Sequence, residues 1–171
     1  MEKLKLRIFP DSVLRSKCAE IRSIGEPERR IVSEMIDIMR KANGVGLAGP
    51  QVGIERQIIV IEDVERNMKG RAMAFFNPKI IKKKGRCSFC EGCLSIPGVT
   101  ADVVRPEHIL MEAIDIEGRP VTIDTGGILA RILQHEIDHL NGILFIDRIN
   151  FLKRRKVLRE ISSRSKVCME L

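Results

Sequence analysis

The sequence predicts a single domain of mixed helices and strands, with the strands arranged around one central helix. A chain of 171 residues fits one domain and can build a hydrophobic core of its own. Short apolar runs alternate with amphipathic segments of helical period, and no repeat, low-complexity tract or linker divides them. Residues 128–141 are apolar on two nearly opposite sides, so we expect other elements to cover this segment on both sides.

The first half of the chain predicts one helix followed by a glycine-rich loop. Residues 29–42 carry a one-sided apolar stripe, formed by Ile31, Met35, Ile38 and Met39. Pro27 lies just before this segment and Asn43-Gly44 just after it, as expected at the two ends of a helix. The following loop, residues 44–50, contains three glycines and a proline, so it cannot form a regular helix.

Short apolar segments between turn residues predict four strands. They are residues 57–62, 72–81, 108–116 and 121–124. The turn at residues 117–120 joins the last two strands.

The last part of the chain predicts the central helix, an extended run and a final helix. One side of the helix at residues 128–141 is formed by Leu129, Leu133, Ile137 and Leu140. The nearly opposite side is formed by Ile128, Ile132, His135 and His139. Residues 143–146 are expected to be extended. Residues 150–162 form a basic final helix with a thin apolar stripe.

The amino-acid composition indicates which cellular location and which binding partners to expect. The net charge is +7, and its excess lies in Lys82–Lys84 and in residues 153–166, which modestly favours acidic partners. The absence of Trp and Tyr leaves few platforms for stacking bases, so we expect no DNA partner. The apolar runs are too short to span a membrane. Five cysteines form no evident disulfide framework, and we expect a reducing, cytoplasmic location.

The most informative motif is H-E-x-x-H at residues 135–139. On a helix, His135 and His139 point the same way and can bind one metal ion, with Glu136 beside it to move protons. This pattern is typical of metal-assisted hydrolases. Two protein ligands do not complete such a site, so a third is required.

The third ligand has several candidates in the sequence. His108 is the other histidine and is expected to be an ordinary surface residue. Cys87, Cys90 and Cys93 are spaced C-x2-C-x2-C, a pattern that also invites a zinc-ribbon or iron–sulfur interpretation. A ribbon requires a second pair of cysteines, and a ferredoxin-type cluster requires a fourth cysteine close behind, and neither is evident. One of the three cysteines can instead complete the H-E-x-x-H site.

Three strings together resemble the peptide deformylase family of the bacterial type. They are G-V-G-L-A-G-P-Q at residues 44–51, E-G-C-L-S-I-P-G at residues 91–98 and Q-H-E-I-D-H at residues 134–139. They occur in order and at familiar separations, and the resemblance covers about residues 8–150. It implies a single α+β domain over residues 1–171, with antiparallel strands surrounding the metal-binding helix and a C-terminal helix at about 150–162.

The resemblance also implies an activity and a metal. The activity is removal of the N-formyl group from the N-terminal formyl-methionine of nascent polypeptides, with release of formate. The implied ligands of one divalent metal are Cys93, His135 and His139. That metal is Fe²⁺ in the cell, with Zn²⁺, Ni²⁺ or Co²⁺ possible in preparations.

The resemblance assigns roles to further residues. Glu136 is the proton carrier, and the Gln51 side-chain amide and the Leu94 backbone N–H donate to the developing oxyanion. The backbone at Gly46 binds the peptide edge-on, which requires close approach. An apolar pocket for the methionine side chain is expected to be lined by Val45, Ile128 and Ile132.

Several points depart from the family or stay open. Gly49 stands where the family usually has alanine and is expected to loosen the loop that carries Gln51. Cys87 and Cys90 are not family features and add oxidation sensitivity. Asp138 is either a solvated charge or a partner of Arg105. Arg131 lies either at the mouth of the methionine pocket or in solvent.

The sequence leaves open the role of the C-terminal helix and two alternative functions. The basic C-terminal helix is either a solubilising surface or a contact with ribosomal RNA near the exit tunnel, as the resemblance implies. One competing hypothesis is a zinc endopeptidase, which requires a ligand downstream of His139, where no further histidine lies. Another is a non-enzymatic metal-stabilised binding module with a closed four-ligand site.

Overall fold

The computed structural model describes residues 3–64 and 71–167, and for residues 162–167 the description covers the backbone only. The strands are β1 (Gly46–Ala48), β2 (Ile58–Glu62), β3 (Ala72–Lys84), β4 (Cys87–Cys93), β5 (Ile96–Arg105), β6 (His108–Ile114) and β7 (Pro120–Gly126). The helices are α1 (Glu26–Lys41), α2 (Gly127–Leu140) and α3 (Phe151–Val167). Short 3₁₀ helices occupy Ser12–Arg15, Gly49–Val52 and Phe145–Asp147.

The strands form two antiparallel sheets. The larger sheet has the order β1-β2-β3-β6-β7, and the smaller one pairs β4 with β5. Every strand pair is antiparallel. The single α+β domain with antiparallel strands around the H-E-x-x-H helix is therefore confirmed.

Helices α1 and α2 cover opposite faces of the larger sheet. Alternate residues of β2 show this arrangement, because Ile59 and Ile61 pack with α2 whereas Ile58 and Val60 pack with α1. All four side chains are fully buried. The continuous apolar run in the sequence is therefore the signature of a strand that is covered on both faces.

A third apolar cluster supports the smaller sheet. Val99 and Val103 of β5 pack with Phe145 and with Val157 of α3. Cys93, at the end of β4, also packs against this cluster, so the C-terminal part of the chain supports the smaller sheet. Within the described ranges, no helix combines the length and the apolar character needed to cross a membrane.

Several predicted boundaries differ from the structure. Helix α1 begins at Glu26 instead of residue 29, because Pro27 fits the first turn and Glu28 accepts the Gly25 N–H at 3.0 Å. Strand β3 continues to Lys84, and α3 continues to Val167. The glycine-rich loop contains the short strand β1 and a 3₁₀ turn.

Two parts of the secondary-structure prediction were wrong. Residues 143–146 are not an extended run, because the Asp147 N–H donates to Leu144 O at 2.8 Å and closes a 3₁₀ turn. The Asp147 side chain caps this turn by accepting the Leu144 N–H at 2.9 Å. Strands β4 and β5 were missed altogether. In β4, every residue from Cys87 to Cys90 is exposed, so this strand lacks the buried apolar alternation by which a strand is recognised. In β5 the alternation is present, with Val99 and Val103 buried, and it was overlooked.

Candidate active site

Helix α2 and the end of β4 bring the three predicted ligands together. The Nε2 atom of His139 lies 3.2 Å from Cys93 Sγ and 3.3 Å from His135 Nε2. One ligand atom from each residue lies within 4.8 Å of the others. The i, i+4 spacing on α2 aligns the two imidazoles, and β4 delivers the sulfur from the opposite side.

These separations fit one tetrahedral metal ion. Bonds of about 2.0–2.1 Å to nitrogen and about 2.3 Å to sulfur place two nitrogens about 3.3 Å apart and a nitrogen and a sulfur about 3.5 Å apart. The observed distances of 3.3 and 3.2 Å lie close to these values. Three protein ligands leave a fourth position open, which is the arrangement of a catalytic site.

The other candidate ligands do not join this group. His108 is exposed and lies 3.2 Å from Asp124, as expected for a surface residue. Cys87 and Cys90 are also exposed. Three residues advance a strand by about 10 Å and reverse the direction of the side chain, so a run of cysteines along β4 cannot enclose one metal. The zinc-ribbon and iron–sulfur interpretations are therefore wrong.

Glu91 is a residue of the site that the sequence prediction missed. Its Oε2 atom lies 3.1 Å from His135 Nδ1, so the carboxylate orients the imidazole and leaves Nε2 facing Cys93. Arg105 donates to both carboxylate oxygens, at 2.6 and 2.9 Å. Burial opposes ionisation of Glu91, but the hydrogen bonds from His135 and Arg105 outweigh it and lower the pKa of Glu91 to about 2.

The two open questions about α2 residues are settled by buried ion pairs. Asp138 accepts from Arg105 Nη1 at 2.6 Å and also pairs with Arg148, so it is a partner and not a solvated charge. Of the two places expected for Arg131, the structure supports the first, because Arg131 lines the cleft beside the ligands and does not lie in solvent. Its side chain is buried, and Nη1 donates to Glu91 Oε1 at 2.5 Å.

Burial and neighbouring groups shift the pKa values of Glu136, His139 and His135 in different directions. Desolvation raises the pKa of Glu136 to about 7, and its buried Oε2 atom has no hydrogen-bond partner among the described residues. Desolvation and the nearby His135 lower the pKa of His139 well below its ordinary value. Burial also opposes the charged form of His135, but its hydrogen bonds with Cys93 and Glu91 raise its pKa to about 10.

Gln51 is fixed at the edge of the site by its own hydrogen bonds. Its Oε1 atom accepts the Ala48 N–H at 2.8 Å, so Nε2 points the other way, at 3.4 Å from Cys93 Sγ and 3.2 Å from Ser95 Oγ. The 3₁₀ turn that carries Gln51 packs closely. A Cβ atom on Gly49 would lie 2.6 Å from the backbone oxygens of two residues, Ile54 and Arg56. Gly49 therefore tightens this loop and does not loosen it as expected.

An open cleft of about 630 Å³ reaches Cys93, His135 and Glu136. Its wall includes the predicted substrate residues Val45, Gly46, Ile128 and Ile132, together with Leu94. Val45 and Ile128 are about half exposed, whereas Ile132 is buried. Phe89, half exposed, also lines the cleft and was not predicted.

Two strand edges border this cleft. β1 is the outer strand of its sheet, and β4 has a single strand partner among the described residues. Both strands contribute residues to the wall of the cleft. Gly46 of β1 lies against Glu136, and a Cβ atom there would come within 2.9 Å of Glu136 Cδ. The backbone thus passes the carboxylate at a distance that only glycine allows.

Two histidines and a cysteine that could hold a metal ion, beside a buried carboxylate at the base of an open cleft, are the arrangement typical of a hydrolase. A sequence profile described as Polypeptide deformylase matches residues 3–155. The chain belongs to the polypeptide deformylase family and is an enzyme.

Individual relatives agree with this assignment. The peptide deformylase of Thermodesulfovibrio yellowstonii is 41% identical over 151 residues, which cover 88% of this chain and 92% of that protein. The crystal structure of a Legionella pneumophila peptide deformylase has a TM-score of 0.90 and 36% identity, covering 99% of both chains. A Synechococcus elongatus peptide deformylase in complex with actinonin has a TM-score of 0.85 and 40% identity, covering 93% of this chain and 86% of that one.

Proposed function

We propose that the protein removes the N-formyl group from the N-terminal formyl-methionine of nascent polypeptides and releases formate. The observation that carries this proposal is the cluster of Cys93, His135 and His139 beside the buried Glu136, in a cleft that a peptide can enter. Membership of the deformylase family supplies the reaction class.

The three ligands suit one divalent metal ion, which we propose to be Fe²⁺ in the cell. Zn²⁺, Ni²⁺ and Co²⁺ can take the same place, because imidazole and thiolate ligands suit all of them. When bound, such an ion polarises the formyl oxygen and acidifies a water molecule. The thiolate of Cys93 also makes an iron form sensitive to oxygen.

Glu136 has the properties of the proton carrier. Burial brings its pKa to about 7, so the carboxylate both accepts and returns a proton near neutral pH. In the proposed reaction Glu136 takes the proton of the attacking water as the new carbon–oxygen bond forms. It then delivers that proton to the departing amine nitrogen as the carbon–nitrogen bond breaks. The products are formate and a free N-terminus.

Gln51 is proposed to stabilise the oxyanion of the tetrahedral intermediate. Its Nε2 lies within 3.4 Å of the Cys93 sulfur, so the amide donor already points toward the ligand cluster. The backbone N–H of Leu94, the residue directly after Cys93, is the second proposed donor. Removal of one such donor typically costs a factor of about 10² to 10³ in turnover.

The substrate is proposed to lie extended between the edges of β1 and β4. Backbone groups of an added peptide can hydrogen-bond to both edges, and Gly46 allows the close approach. The methionine side chain then enters the apolar wall formed by Val45, Ile128 and Ile132. Because a related deformylase binds actinonin, we expect actinonin to occupy the same cleft here.

Helix α3 is proposed to contact the ribosome near the exit tunnel, where nascent chains emerge. Its inner side is anchored by Val157, and its outer side is basic, with exposed cations that include Lys153, Arg155 and Arg159. Contacts of these cations with RNA phosphates would weaken steeply as salt rises. The proposed location is the cytoplasm, with no membrane or DNA partner.

Formate release tests the proposal directly. The protein is loaded with Fe²⁺, Ni²⁺ or Co²⁺ without oxygen and incubated with formyl-Met-Ala-Ser, and formate and free amine are measured together. An acetylated peptide of the same sequence serves as the control for selectivity. Equal amounts of formate and amine are expected. Cleavage of internal peptide bonds without formate would instead support the zinc endopeptidase.

A further inference from the structure

We propose that Arg131 is a positioning residue that couples the methionine pocket to the metal ligand His135. The inference rests on the proposed function, because it assigns the cleft beside α2 to the substrate's methionine. Arg131 lies one helical turn before His135, and its side chain is 9% exposed. Its guanidinium reaches away from its own helix and binds three groups on the hairpin formed by β4 and β5.

The contacts of Arg131 fix that hairpin to α2. The guanidinium donates to Val103 O at 3.0 Å, to Cys87 O at 2.8 Å and to Glu91 Oε1 at 2.5 Å. Two of these acceptors are backbone carbonyls on neighbouring strands, so the residue does more than neutralise a carboxylate. Because β4 ends at Cys93, the same contacts hold the strand that presents the metal-binding sulfur.

Glu91 transmits the position of Arg131 to the imidazole. One carboxylate oxygen, Oε1, accepts from Arg131, while the other, Oε2, faces His135 Nδ1 at 3.1 Å. Both oxygens belong to one rigid carboxylate, so a displacement at Oε1 also displaces Oε2. Arg105 binds the same carboxylate, but its second partner is Asp138, which lies away from the cleft wall. Arg131 is thus the guanidinium that joins His135 to the substrate cleft.

Phe89 is the link on the substrate side. It lies two residues before Glu91 on the same face of β4, and its side chain is half exposed in the cleft. The Arg131 guanidinium lies 5.6 Å from the centre of its ring, within the range of a cation–π contact. An aromatic ring at this place can also contact the thioether of methionine. A methionine that presses on Phe89 therefore acts on Arg131, Glu91 and His135 in turn.

This coupling makes a reciprocal prediction. If occupation of the pocket steadies Arg131 and Glu91, it also steadies His135 as a ligand, and the metal should leave more slowly. A guanidinium that serves only as a structural brace would lower the melting temperature when removed. It would not link metal release to peptide binding in protein that is still folded.

The test measures metal release to a chelator in Co²⁺-loaded protein, with and without saturating Met-Ala-Ser, well below the melting temperature. Four proteins are compared: wild type, Arg131→Met, Arg131→Lys and the control Arg119→Met, which removes a paired arginine from the turn between β6 and β7, away from the cleft wall. In wild type and control we expect the peptide to slow release at least threefold. In Arg131→Met we expect release about 10- to 100-fold faster and independent of the peptide, with partial rescue by lysine.

A second variant keeps the proposal testable if Arg131→Met folds poorly. Phe89→Leu should raise KM for formyl-Met relative to formyl-Ala peptides, leave peptide-free metal release unchanged, and reduce the slowing by Met-Ala-Ser. The proposal is overturned if Arg131→Met or Phe89→Leu retains the full slowing by the peptide. Failure of the proposed function is seen separately, as absence of formate from every formylated peptide with wild type.

Discussion

Substitution of Gly46 by alanine is the sharpest test of the geometry around Glu136. A Cβ atom at this position would lie 2.9 Å from Glu136 Cδ and 3.1 Å from Cγ, with Oε1 closer still. Carbon atoms in contact prefer about 3.5–4.0 Å, so the carboxylate must retreat by roughly 1 Å. The backbone cannot give way easily, because Gly46 is paired with Ile61 of β2.

A displacement of this size has a predictable cost. Misplacing a reacting group by about 1 Å lowers the rate on the order of 10²-fold, or about 2.7 kcal/mol in the barrier. Glu136 is 4% exposed, so it has little free space in which to find another productive position. We therefore expect kcat to fall about 100-fold while the metal content stays that of the wild type.

The assay is formate release with formyl-Met-Ala-Ser, with kcat and KM determined separately. Gly44→Ala is the matched control, because its Cβ atom would meet Leu94 Cδ1 at 2.6 Å, the tip of a side chain that can rotate away. We expect this control to change kcat by less than about fivefold. Retention of kcat in Gly46→Ala, with only KM raised, would refute the reasoning, since it would show that the methyl group obstructs the peptide and not the carboxylate.

The remaining predictions concern the ligands and their neighbours. Glu136→Ala should abolish formate release and retain metal, as measured by metal analysis; loss of the metal would make Glu136 structural. Cys93→Ser should reduce bound metal sharply, whereas Cys90→Ser should leave it nearly unchanged, and equal losses would revive the cysteine cluster. Because the pKa of Glu91 is lowered to about 2 in the fold, its ionisation contributes about 3 kcal/mol of stability above pH 4.5, which is lost as pH falls toward 2. Urea unfolding of Glu91→Gln should therefore show lower stability than wild type at pH 7 and a weaker decline between pH 5 and pH 3; parallel curves would contradict this. Binding of Ni²⁺ should release at least one proton at pH 7.5, since the pKa of His135 is about 10 and a ligand imidazole must be neutral. Calorimetry in buffers of different ionisation enthalpy measures the number of protons released per Ni²⁺ bound. Release of no proton would contradict this prediction.

The sequence predicted the parts of the site that depend on local spacing. His135 and His139 share one side of α2 because four residues complete about one helical turn. The apolar pattern of the same helix placed Ile128 and Ile132 beside them, and both line the cleft. Such features require only that the helix form, which the residues on its two apolar sides already indicate.

The parts that could not be predicted depend on the approach of distant segments. Glu91 meets Arg131 across 40 positions of sequence, and nothing in either segment alone identifies the partner. Strands β4 and β5 also escaped prediction, because the first half of β4 is solvated and the inner surface of the pair mixes apolar residues with charges that are buried only through mutual pairing. Arg105, 3% exposed, is such a charge, and in sequence it resembles any surface arginine.

The two strand edges that border the cleft affect the range of polypeptide substrates that one such enzyme can accept. An edge strand hydrogen-bonds to the peptide backbone, which is nearly the same in every polypeptide. These bonds therefore do not select among most side chains. Under the proposed function, selection falls on the formylated first residue, which the apolar wall receives. The substrate residues after the first one contribute affinity but little selectivity. Such a cleft can accept many different polypeptides. An inhibitor that imitates only the backbone would also bind other proteins that take up an extended peptide at a sheet edge.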